Sequence, residues 1–246
     1  MAGTQRPSRS FTWFLWLVSV TAGSMLSGPL SARDFAASVV KVRAVAADGA
    51  ESFGSGVVIA IDLLATACHV TRDAKTIEIA HGAERWVGTV ASGSPAHDLC
   101  LIHVPQLNLP AVAIRASASL QLGDRVSAAG FPNGDDLVVR DGAVEGLYTY
   151  EGGKVIRTSA VFDYGSSGGG LFDAEGALVG VLAFKARYGA RLHFALPADW
   201  TTPGNPVFSR LVPFASSNER VAFWEQPKAA QPSFLRHALL EATSQR

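Results

Sequence analysis

The sequence predicts an all-β protein, either a sandwich or a pair of barrels. From Ala36 to about Leu196, short β-branched runs recur at close intervals, separated by Gly, Asp, Asn and Pro. Few stretches in that span carry helical spacing, which disfavours an alternating α/β sheet. The composition supports a packed core: of 246 residues 48% are hydrophobic and 17% charged, with 24 Gly and 12 Pro. Such a chain is not disordered, collagen-like or coiled-coil.

Before the strands stands a segment of a different kind. Arg6 and Arg9 precede the apolar run from Phe11 to Val20, and small residues follow. That is the layout of a secretory signal over residues 1–32, cut after Ala22 or Ala32, and it implies a secreted or periplasmic protein. The alternative is an uncleaved anchor, although Gly23, Ser24, Ser27, Gly28 and Pro29 interrupt the apolar stretch. A membrane partner is expected only in that case.

The strands follow in order: Ser38–Arg43, Gly56–Ala60, Thr76–Ile79, Leu101–Val104, Val126–Ala129 and Leu178–Leu182. Beyond Trp200 the composition changes, with prolines at 203, 206, 213, 227 and 232. Residues 201–246 therefore read as a wrapping or loose tail. Phe234, Leu235, Ala238, Leu239 and Ala242 share one helical face there, with Ser233 placed to cap a short helix.

Charge narrows the function. Lys+Arg and Asp+Glu both number 21, so no net field attracts a polyanion and a nucleic-acid partner is not expected. Removal of residues 1–32 takes two arginines and no acid, leaving a nearly neutral chain. Two cysteines are too few for a four-cysteine zinc site. His81, His103 and His237 have no metal-ligand spacing, so neither a metal nor another cofactor is expected.

Three short segments can carry chemistry together. Thr66-Ala-Cys-His-Val70 follows the Gly54-Ser-Gly-Val57 turn and sets His69 at a strand end. His97-Asp-Leu-Cys-Leu-Ile102 sets Asp98 just before an apolar strand. Gly165-Ser-Ser-Gly-Gly-Gly170 holds serine in a glycine-rich loop. A nucleophilic serine needs a base to take its proton, and the base needs a carboxylate to hold its tautomer. Glycines let loop N–H groups turn onto a developing oxyanion. The order His, Asp, Ser is that of chymotrypsin-type proteases.

On these residues the chain resembles the trypsin-like peptidase family, in its bacterial HtrA/Deg form. Further segments share the resemblance, in the family's order: Asp98–Ile102, Gly123–Gly134, Asp141–Gly146, Thr158–Ala160, Gly176–Val181 and Phe194–Pro197. The resemblance implies two six-stranded β-barrels, about 36–112 and 121–200, with the active site in the cleft between them. His69 and Asp98 come from the first and Ser167 from the second. The backbone N–H groups of Gly165 and Ser167 then form the oxyanion hole. Ser167 rather than Ser166 is the nucleophile, because the family's serine is followed directly by two glycines. The function implied is a serine endopeptidase acting on protein or peptide substrates through an acyl-enzyme. The alternative is an idle fold that binds peptides by strand addition. Ser166 stands where the family often has Asn or Asp, which removes activation through a new N-terminal amine. No PDZ-like module is expected in the 46 residues after Trp200.

Two finer expectations depend on the triad. Position 100 shares a strand face with Asp98, so if Asp98 reaches the His69 segment, Cys68 and Cys100 also come close and form a disulfide. Two small buried free thiols are the alternative. In the enzymes the chain resembles, the position six residues before the nucleophile forms the floor of the primary specificity pocket, which implies Val161 here, with Val181, Leu182, Ala183 and the strand holding His193 as walls. An apolar floor cannot compensate a buried cation, so small or medium aliphatic residues are expected before the cut. His193 instead points to an acidic residue there, unless its ring turns into the barrel wall.

Overall fold

β-Branched runs joined by tight turns make two closed, six-stranded antiparallel barrels in the computed structural model. It describes residues 34–188, 190–211 and 221–244, with Met1 and Gly3; the expected signal segment otherwise lies outside the described residues. The first barrel comprises β1 (Val39–Ala46), β2 (Glu51–Ala60), β3 (Leu63–Ala67), β4 (Ala74–His81), β5 (Glu84–Ser94) and β6 (Leu99–His103), ordered β1-β2-β3-β6-β5-β4. The second comprises β7 (Arg125–Gly130), β8 (Val138–Tyr150), β9 (Gly153–Thr158), β10 (Gly170–Asp173), β11 (Leu178–Tyr188) and β12 (Ala190–Pro197), ordered β10-β11-β12-β9-β8-β7. Closure removes the exposed strand edges that an open sheet would present.

The β3–β6 register matters most for the site. Thr66 lies opposite Cys100 and Ala67 opposite Leu99. One rung further on, the Cys68 N–H donates to the Asp98 carbonyl at 3.1 Å. The residue after β3 thus meets the residue before β6, and a short helix α1 (Cys68–Thr71) carries His69 over Asp98. Asp98 itself adopts a left-handed conformation, φ 55°, at the end of the 3₁₀ turn Pro95–His97.

The same register brings the sulfurs together: Cys68 and Cys100 are disulfide-bonded, with a Cα–Cα distance of 4.9 Å. The bond closes a loop of sequence separation 32, for which chain-entropy reasoning gives about 3 to 4 kcal/mol. We expect the Cys68→Ala/Cys100→Ala double variant to lose stability on that scale in urea unfolding, and the unreduced wild-type chain to take up no thiol reagent when denatured. A change below about 1 kcal/mol would show the bond to be idle.

Between the barrels, a second group of residues was legible only in part. His97, in the turn before β6, is buried, with Nδ1 2.7 Å from Ser94 Oγ and Nε2 3.2 Å from Glu151 Oε2. Glu151 also pairs with Arg210 and occupies the β8–β9 turn with Gly152, both at positive φ. From this hairpin turn the Glu151 carboxylate joins the barrels through His97. Burial works to raise the Glu151 pKa, yet His97 and Arg210 outweigh it and hold it below the ordinary carboxylate value.

The tail wraps the body. Trp200, Val207, Phe223, Leu235 and Ala238 are buried in one cluster with Ala65, Leu99, Val155 and Val181. Helix α2 (Ser233–Ser244) contributes Leu235 and Ala238 to that cluster. Phe234 stacks on Tyr148 at 5.5 Å.

Candidate active site

Asp98 accepts two hydrogen bonds from His69, one from each end of the residue. The backbone N–H reaches Oδ1 at 2.9 Å, and ring Nδ1 lies 2.8 Å from Oδ2. Only 1% of Asp98 is exposed, so the carboxylate acts across a poorly screened path. Burial of the ring opposes charge on His69. The charge and hydrogen bond of Asp98, aided by Glu225, outweigh that burial and the nearby Arg72, and the His69 pKa stands above its ordinary 6.5. With Nδ1–H held by Asp98, Nε2 is left as the acceptor.

Ser167 arrives from the loop between β9 and β10. Its hydroxyl is directed to the Ala183 carbonyl, at 3.3 Å. Gly168 N–H donates to Leu182 at 2.7 Å and Leu182 N–H returns a bond to Gly169 at 2.8 Å, lacing the loop to β11. Two glycines are obligatory here. At Gly165, φ is +89° and a Cβ would lie 2.5 Å from Asn133 N and Phe131 O; at Gly168, φ is +85° and a Cβ would lie 2.2 Å from Ser55 O. Among the described residues, neither the Gly165 nor the Ser167 N–H donates to a protein acceptor.

Ser55 ties the serine loop to the first barrel, and sequence reasoning passed over it. Its N–H holds the Ser167 carbonyl at 2.8 Å, and its hydroxyl donates to the Gly165 carbonyl at 2.8 Å. The same hydroxyl accepts from Phe131 N–H, and its carbonyl from Thr66 Oγ1 at 2.7 Å. The open N–H groups of Gly165 and Ser167 share their peptide planes with the Tyr164 and Ser166 carbonyls, which accept from Asn133 N–H at 2.7 Å and Gly169 N–H at 2.9 Å. A small polar residue between Gly54 and Gly56 was the available signal.

Trp224 is the other residue passed over. From the tail, its Nε1–H donates to Asp98 Oδ2 at 3.3 Å. Its ring stands edge-on to His69, centroids 5.6 Å apart, and lies flat on Phe184 at 5.1 Å.

The expected pocket residues are only partly brought together. Val161 is 49% exposed and lines a cavity of about 190 Å³ with Ala128, Gly130, Arg140 and Ser166, not a floor beside Ser167. Alternation is the reason: Ala160 and Phe162 turn inward and Val161 between them turns out. Alternation also divides the wall, since Val181 and Ala183 pack in one cluster and Leu182 in another, with Phe162. His193 is 3% exposed; its Nδ1 accepts the Phe162 N–H at 3.3 Å and its ring packs on Phe162 at 4.8 Å. Lys185 Nζ bridges to Asp163 at 3.0 Å and lies over Tyr164, tying β11 to the Ser167 loop.

Known proteins share this arrangement of chain. Residues 54–181 match the model of the trypsin-like peptidase domain. The chain is 32% identical over 162 residues to serine protease HTR4 of Rattus norvegicus, a match covering 60% of this chain and 32% of that one. It is 34% identical over 161 residues to a probable periplasmic serine endoprotease, DegP-like, of Pseudomonas putida, covering 61% and 33%. It thus spans about a third of the length of these relatives. Among solved structures, the Rv3671c protease of M. tuberculosis in its active form superimposes with a TM-score of 0.67 at 22% identity, over 88% of this chain and 99% of that one, which establishes likeness of fold. The family model covers more than half of the sequence, and the chain belongs to the trypsin-like peptidase family.

Proposed function

We propose that the protein is a serine endopeptidase in which Ser167 attacks the peptide carbonyl, His69 is the base and Asp98 orients it. The observation that carries this reading is the His69–Asp98 pair at 2.8 Å beside a serine loop with two open N–H groups. His69 Nε2 takes the hydroxyl proton as Ser167 Oγ bonds to the carbonyl carbon, then gives it to the leaving amine. Water hydrolyses the acyl-enzyme by the same relay. The N–H groups of Gly165 and Ser167 stabilise the tetrahedral oxyanion. Release beyond the cytoplasm fits the signal layout of residues 1–32 and the periplasmic description of the DegP-like relative.

Specificity follows from charge and space. Asp163, in the segment leading to Ser167, is engaged by Lys185, so it is not a free counter-ion for a basic residue before the scissile bond. Phe162 and His193 fill the space on the barrel side, favouring Ala, Val or Leu. Digestion of a proteome-derived peptide library tests activity and preference together. Cuts after small aliphatic residues are expected; dominant Arg or Lys overturns the pocket argument. Absence of any cut above a Ser167→Ala control would leave the peptide-binding alternative.

A further inference from the structure

The triad proposed above leaves one contact unexplained. Asp98 Oδ2 already accepts the His69 ring proton, yet it takes a second donor from a residue 126 positions away. That donor is held firmly. Phe223, its neighbour, is buried and its N–H bonds the Ala96 carbonyl at 2.9 Å, two residues before Asp98. On the other side Glu225 pairs with Arg72 at 2.6 Å, three residues after His69. Gln231 Nε2 donates to the Trp224 carbonyl at 3.0 Å. The segment is thus bolted to both halves of the His–Asp pair, and the Trp224 ring is clamped between Phe184 and His69.

We propose that Trp224 is a positioning residue of the active site, its indole N–H fixing the Asp98 carboxylate so that Oδ2 faces His69 Nδ1. The inference rests on the endopeptidase reading. A carboxylate anchored only through Oδ1 can rotate about its Cβ–Cγ bond, and each rotation loosens the imidazole; a second donor on Oδ2 removes that freedom. The same N–H draws charge from Oδ2 and so moderates how strongly Asp98 raises the basicity of His69. The other charged groups facing His69 are Glu225, which raises it, and Arg72, which lowers it.

Trp224→Phe keeps a ring between Phe184 and His69 and deletes only the N–H. We expect kcat on a peptide substrate to fall about tenfold with KM within about twofold, as the loss of one hydrogen bond to a charged group implies. The acid limb of kcat/KM should also move to higher pH, since Asp98 regains charge density and His69 becomes more basic. A purely structural role moves stability but not that limb. If the phenylalanine variant fails to fold, benzothienylalanine at 224 serves, because sulfur replaces N–H in an indole-shaped ring. Wild-type kcat and an unmoved limb in the folded variant would overturn the inference. An inert wild-type enzyme would instead overturn the endopeptidase reading itself.

Discussion

On the proposed mechanism, Ser167→Ala is expected to abolish casein hydrolysis, by about four to six orders of magnitude in kcat, while Ser166→Ala keeps most of it. The adjacent serines have different surroundings. Ser167 Oγ lies at the Ala183 carbonyl on the cleft side, in the loop whose N–H groups are open. Ser166 is 2% exposed, is covered by Gly130, and lines the cavity shared with Val161 and Arg140. A fluorophosphonate probe reports the same difference without a substrate: it should label wild type and Ser166→Ala at position 167, and leave Ser167→Ala unlabelled. Labelling that follows Ser166 would reverse the assignment.

Asp98→Asn is the second large effect, with kcat/KM lower by about 10⁴-fold. An amide presents an N–H or a weaker acceptor to His69 Nδ1, so the ring loses the tautomer that leaves Nε2 free. The pH profile carries a sign of its own. On the proposed mechanism His69 must be neutral to accept the serine proton, and its pKa is raised above the ordinary 6.5 by Asp98. Activity is therefore full above that pKa and is lost as pH falls through it. With Asn at 98 the raising influence of the carboxylate disappears while burial remains, so the acid limb of the residual rate moves to lower pH. This displacement is opposite to that expected for Trp224→Phe, which separates loss of the carboxylate from loss of its donor. A kcat/KM within tenfold of wild type would remove Asp98 from the mechanism.

Local patterns carried the parts of the site that depend on neighbours in sequence or on strand register. His69 follows directly on β3 and Asp98 directly precedes β6, so pairing of Ala67 with Leu99 sufficed to bring them together, and Cys68 with Cys100 followed. Gly165 and Gly168 announced a loop with unusual dihedrals. Counting residues back from Ser167 carries no information on burial, which leaves Val161 half-exposed between buried Ala160 and Phe162. The role of Ser55 depends on contacts with residues 131, 165 and 167, and that of Trp224 on a contact 126 residues away; periodicity has no information on such meetings. Nor could proline content distinguish a wrapped tail from a loose one. The difference lies in where Phe223 and Leu235 find apolar surface.

The Ser55 contacts have a consequence for folding kinetics. Ser55 reaches Gly165 across 110 residues, and its hydrogen bonds to the Gly165 and Ser167 carbonyls orient the serine loop only once the first barrel lies against the second. Contacts so distant in sequence carry a large loop-closure cost and form late. A chain with one finished barrel holds His69 and Asp98 in register but has nothing to align a nucleophile against them. On the endopeptidase reading proposed here, partly folded molecules are thereby kept from cutting one another during the interval when their own backbones are most exposed to cleavage.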